Sequence, residues 1–252
     1  MRLFTKSLAV ALFGLAALGA QAAESVALDK APLRFDNASL QSGAKTFINY
    51  CLSCHGASAM RYNRLTQIGL TEQQIRDNLM FTADKVGEQM TVAMRHDDAK
   101  RWFGAAPPDL SVIARARASG DGSGADWLYT YMRQFYRDDS RPSGWNNVIF
   151  PGVGMPHVLW QLQGMQVAHF VEKDDGHGGK VQHLERLEVV EPGLMTKQEY
   201  DDEVANLVSF LTWMGEPARE TRHLIGWVVI AVLSVLAVLT WMLKRAFWKD
   251  VH

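Results

Sequence analysis

The sequence predicts a mainly α-helical domain with a small β-hairpin insertion and one C-terminal transmembrane helix. Three observations carry that expectation. Apolar residues recur at helical spacing through most of the chain, a single alternating stretch flanks one Gly-rich turn, and an uncharged apolar run lies near the C-terminal end. A composition of 48% hydrophobic and 21% charged residues is ordinary for a globular protein and excludes disordered and collagen-like classes.

Taken in chain order, the first element reads as an export signal. Arg2 and Lys6 form a basic start, Leu8 to Leu18 is apolar, and Ala20-Gln21-Ala22 fits a small-x-small cleavage site. A signal peptide over 1–22 is therefore expected, with a cut after Ala23 as the alternative, and 23–223 is expected to form one exported domain. With Arg2, Lys6, Lys244, Arg245, Lys249 and Asp250 set aside, 21 basic and 26 acidic residues remain. That acidic balance argues against nucleic acid as a partner and for cationic ones.

Ser39 is the expected cap of a helix in which Ala44, Phe47, Ile48 and Cys51 share a face. The helix leads into Cys51-Leu52-Ser53-Cys54-His55, which holds both cysteines of the chain. Cys-x-x-Cys-His is the attachment signature of c-type haem: two thiols add to the vinyl groups and the adjacent His ligates iron. A thioredoxin-like redox pair would need a βαβ setting, and a zinc site would need a second ligand pair. Neither is visible. One motif implies one covalently attached haem c, moving one electron at a time, in a cytochrome c-like domain.

A protein ligand on the other face of the iron is expected for pure electron transfer, and Met suits a high potential. Met155 stands out in Pro151-Gly152-Val153-Gly154-Met155-Pro156, where Gly and Pro shape an irregular loop. Met90 and Met94 are reserves, and His157 is a further candidate. Met132 and Met214 fall on helical apolar faces and read as core.

The remaining elements follow from local signals. Thr71-Glu72-Gln73-Gln74 is a capping box before a short helix reaching about Met80. Ala105 to Pro108 reads as an extended break. A helix is expected over Ala125 to Tyr136 with Trp127, Leu128, Tyr131 and Phe135 on one side. Gln166 to Val171 and Lys180 to Val190 read as a β-hairpin. Thr196 and Glu199 cap a helix carrying Val204, Leu207, Val208 and Leu211 on one face, ended by Gly215 and Pro217. Leu224 to Leu243 is long enough to span a bilayer, with Trp227 and Trp241 near its ends. Lys244, Arg245 and Lys249 place the tail, 244–252, on the cytoplasmic side, so the domain is expected in the periplasm, on a single-pass anchor in the inner (cell) membrane.

These motifs together resemble the cytochrome c1 family, the haem subunits of ubiquinol:cytochrome c oxidoreductases (bc1 complexes), over essentially the whole mature chain. The resemblance rests on Cys51 to His55, on Ala106-Pro107-Pro108-Asp109-Leu110-Ser111 running on to Arg115-Ala116-Arg117, on Pro151 to Pro156, and on the C-terminal anchor. It implies that Met155 is the second axial ligand beside His55, that Arg117 pairs with a haem propionate, and that Pro107 and Pro108 line the haem crevice. It further implies an electron relay with no catalytic site of its own. The implied partners are a cytochrome b subunit, a Rieske iron–sulfur subunit, a c-type cytochrome acceptor and membrane lipid.

Overall fold

The computed structural model describes residues 27–92, 94–174 and 179–250, so the expected signal peptide and both of its cleavage sites lie outside the described residues. The chain enters through α1 (Asn37–Thr46), whose N-cap is Asp36: its side chain accepts from the Ser39 backbone N–H. This corrects the expected cap. Asp36 outcompetes Ser39 because a carboxylate immediately before the helical run reaches the free N–H groups of the first turn. The helix passes into a wider π-helical turn (Phe47–Cys51) that ends on the first cysteine, a local irregularity frequent at functional sites.

Strand β1 (Ala57–Arg61) follows, then a 3-10 helix (Tyr62–Ile68) and α2 (Glu72–Asn78), which starts at the expected capping box. β2 (Gln89–Met90) returns to pair antiparallel with β1. Next come α3 (His96–Phe103), the one-turn α4 (Ile113–Ala116) and α5 (Gly124–Arg133). α5 stops earlier than expected. Phe135 and Tyr136 lie in β3 (Phe135–Arg137), paired with β4 (Trp145–Asn147). The apolar period runs on through Phe135 because that ring, although in the strand, is fully buried.

After the one-turn α6 (Trp160–Gln163), β5 (Gly164–Asp174) and β6 (Lys180–Pro192) form the hairpin, longer than expected at both ends. α7 (Lys197–Gly215) begins at the Thr196–Glu199 capping box and buries Val204, Leu207, Val208 and Leu211. α8 (Arg219–Phe247) is uncharged on all sides from Leu224 to Leu243 and exposes its large hydrophobics to the surroundings. From Thr221 to Phe247 it is long and apolar enough to cross a membrane.

The core forms where α1 lies against α7. Gly43, in mid-helix at a usual cost of about 1 kcal/mol, explains itself there: a Cβ would land on the Asn206 backbone carbonyl of α7. The close approach brings Phe47 and Phe210 rings to 5.7 Å and lets Glu203 accept from both Ser42 and Thr46. Beside this pair, Tyr200 donates its hydroxyl to the Met132 carbonyl, and Arg133 forms a half-buried ion pair with Asp201 at 2.6 Å. The scaffold thus fixes the C-terminal end of α1 and the inner face of α5. Both border the site.

Candidate cofactor site

Cys51 and Cys54 are free thiols at the end of the π-helical turn. The turn closes through Cys54 N–H and His55 N–H, which both donate to the Cys51 carbonyl, so the two sulfurs and the imidazole are held within one loop of backbone. Burial, with the neighbouring Cys54, pushes the Cys51 thiol up to about 12. A redox-active pair is usually activated by the opposite shift.

His55 is oriented from behind. Its Nδ1–H donates to the Pro108 carbonyl at 2.8 Å, which leaves Nε2 as the lone-pair nitrogen. Burial lowers its pKa against the pull of that carbonyl and of Asp109, so the ring is neutral at physiological pH, as a metal requires. The segment supplying Pro108 is stitched to the strand after the motif. Leu110 N–H donates to the Gly56 carbonyl, Ser58 N–H to Asp109, and Ala59 N–H to Ser111 Oγ. Asp109 also accepts from Ser111 N–H. These bonds hold its carboxyl below the ordinary range despite partial burial. The Pro-Pro-Asp-Leu-Ser sequence is therefore a clasp: two prolines without N–H groups form the wall, and the polar residues beyond them tie it down.

Across from His55, the Met155 loop is clamped by different means. Gly152 sits at φ +77°, its N–H donates to Asn146, and Arg141 donates to its carbonyl. Met155 is partly buried, and the Tyr131 hydroxyl donates to its sulfur at 3.5 Å. Burial raises the Tyr131 pKa, opposed in part by Arg117, so the phenol stays protonated.

Cys51, Cys54, His55, Pro107, Pro108, Arg117 and Met155 all line one cavity of about 350 Å³. Every expected site residue is thus brought together. The alternatives to Met155 are not. Met90 is fully buried in β2, and Met94 lines a neighbouring cavity. His157 turns into the core, stacked on Phe135 at 4.8 Å with Nε2 held by Gln163 at 2.6 Å, and burial pushes it down to about 4. Arg117 is half-buried, 4.4 Å over the Trp127 ring, whereas Arg115 is exposed.

Sequence reasoning missed the aromatic lining. Tyr50, Phe103, Tyr131 and Phe150 complete the wall, and of these only Tyr131 was singled out, as one of four residues on one side of a helix. A phenol on an otherwise apolar helix face was the available signal, because its hydroxyl needs a partner when buried. Two free thiols, a neutral imidazole, a thioether, one guanidinium and an otherwise apolar lining fit a covalently held iron porphyrin. Among the described residues no group of three or more His, Cys, Asp and Glu side chains could hold a bare metal ion.

The model of the Cytochrome C1 family matches residues 28–251. The chain belongs to the cytochrome c1 family. Among its relatives, cytochrome c1 of Allochromatium vinosum is 46% identical over 94% of this chain and 93% of its own length. A protein of Nitrosomonas europaea named ammonia monooxygenase gamma subunit is 50% identical over 91% of each chain. Cytochrome c1 of Rhodospirillum rubrum is 27% identical over 86% of this chain and 84% of its own. As a cytochrome c1, the chain is a membrane-anchored haem subunit for electron transfer in a bc1-type oxidoreductase complex, and its cofactor is one haem c. The cytochrome c1 fold is, as expected, largely helical with small sheets and one apolar C-terminal helix.

Proposed function

We propose that this cytochrome c1 accepts single electrons from a Rieske iron–sulfur subunit and passes them to a c-type cytochrome, docked beside a cytochrome b subunit. The observation that carries this reading is the one cavity lined by Cys51, Cys54, His55, Met155, Arg117, Pro107 and Pro108. Haem held there supplies reversible one-electron exchange without making or breaking a bond to substrate. Cys51 and Cys54 supply the two thioether sulfurs. His55 ligates through Nε2, braced by the Pro108 carbonyl. Met155, lining the same cavity, would hold the iron together with His55 and so close it to small ligands, in keeping with a relay that has no catalytic site of its own. Arg117 offers its planar charge to a propionate, and Pro107 and Pro108 exclude water from the crevice. Lipid contact falls to α8, with the haem domain on the periplasmic side of the inner membrane, the tail 244–252 in the cytoplasm and the signal 1–22 removed.

The test is a haem-stained denaturing gel of membranes carrying Cys51→Ala with Cys54→Ala. The doubly substituted chain is expected to lose covalent stain. Full stain in that variant would overturn the attachment.

The name of the Nitrosomonas relative favours a second reading, in which the same relay serves another oxidising complex. Co-purification decides between them: a b-type cytochrome and an iron–sulfur protein support the first, and a monooxygenase the second.

A further inference from the structure

We propose that Tyr131 is a positioning residue for Met155, its hydroxyl setting how strongly the thioether donates to iron. This rests on the reading that Met155 is an axial ligand. The hydroxyl lies 3.5 Å from Met155 Sδ, at the end of a ring that is 8% exposed. A buried phenol ordinarily pairs with a strong acceptor, and a thioether is a weak one. The ring nevertheless has little freedom to turn elsewhere. Trp127 stacks on it at 4.7 Å and 14°, and Phe135 meets it edge-on at 4.9 Å. Trp127 in turn lies under the Arg117 guanidinium. The Met155 loop is equally held, by Asn146 and Arg141 on Gly152. The Tyr131 ring is held by packing and the loop that carries Met155 by hydrogen bonds at Gly152, so the fold brings donor and sulfur together.

The sulfur has two lone pairs, one for iron and one for the phenol. A donor on the second pair draws density from the first. A weaker thioether donor disfavours the ferric state, so the hydrogen bond raises the reduction potential. The other axial side is arranged with the opposite sign, since the Pro108 carbonyl accepting from His55 Nδ1–H makes that imidazole a stronger donor. Tyr131 and Pro108 are then opposed levers on one iron.

The experiment uses the full chain in its solubilised membrane complex and compares wild type, Tyr131→Phe and Met155→Leu. A redox titration and the ferric sulfur-to-iron charge-transfer band are measured. Tyr131→Phe is expected to keep the band, displaced in energy, and to titrate at lower potential. Met155→Leu is expected to lose the band. A lost band in Met155→Leu, with unchanged band and potential in Tyr131→Phe, overturns the role of Tyr131 alone. A band retained in Met155→Leu overturns the ligand assignment and the proposal with it. Should Tyr131→Phe fail to accumulate, 3-fluorotyrosine at position 131 keeps the shape and strengthens the donor. Its potential is then expected to rise, and a fall or no change refutes the proposal.

Discussion

The α1–α7 pair and the walls of the cavity lined by Cys51, His55 and Met155 sit side by side and are built in opposite ways. In the pair, regular backbone bonds itself, glycine permits close contact, and buried side chains such as Phe47, Val204 and Phe210 are chemically interchangeable in kind. In the walls, backbone is irregular, and each turn is held by a named side chain: Asp109 and Ser111 for the Pro107–Pro108 clasp, Asn146 and Arg141 for the Met155 loop. Stability is concentrated in the first region and chemistry in the second. Substitutions should therefore separate along that line.

The sharpest break is expected from Gly43→Val, because the new side chain meets backbone that cannot rotate away. Overpacking of this kind should cost about 3 kcal/mol, read as a fall in thermal unfolding temperature, while the fraction that folds keeps the wild-type charge-transfer band. Asp126 is next. It accepts from the Ala31 N–H at 2.8 Å and caps the chain entry against α5, and Asp126→Ala leaves that donor stranded for about 2 kcal/mol. Burial of its carboxyl is outweighed by the Ala31 N–H, Ser123 and Lys30, so its pKa lies below 3.8. A depressed folded pKa contributes stability above the unfolded value and loses it as pH falls through the folded one. The gap between wild type and Asp126→Ala, followed by denaturant unfolding, should be widest at neutral pH and narrow below about 4.

On the cavity side, Met155→Leu preserves volume and should cost less than about 1.5 kcal/mol, yet change the electronic spectrum outright. Thr196→Ala removes the cap of α7, worth about 1 kcal/mol, and should shift unfolding without touching the band. A band displaced by Thr196→Ala as much as by a cavity substitution would erase the distinction between the two regions.

The same division governs what was legible before the structure. Signals written in neighbouring residues survived: both capping boxes, the place of the hairpin in the chain and the apolar stretch of α8. Signals that depend on distant backbone did not. Ser39 and Asp36 are both good caps, and only the path of the chain decides between them. Phe135 is buried in the strand that follows α5 and so extends the apolar period past the end of that helix. The family resemblance put Arg117 at a propionate, but its stacking on Trp127 could not be read from residues ten apart in sequence. The hydroxyl of Tyr131 against Met155 joins positions 24 apart and carries no local signature.

One junction described earlier governs the reach of the whole domain. Only residues 216–218 separate α7 from α8, a leash that spans at most about 11 Å when fully stretched. Pro217 stiffens it further, and Arg222 ties back to Glu216 at 2.7 Å. A domain moored so closely is held beside the apolar helix, so the length of this junction, and not the helix, sets how far the domain can stand off from it.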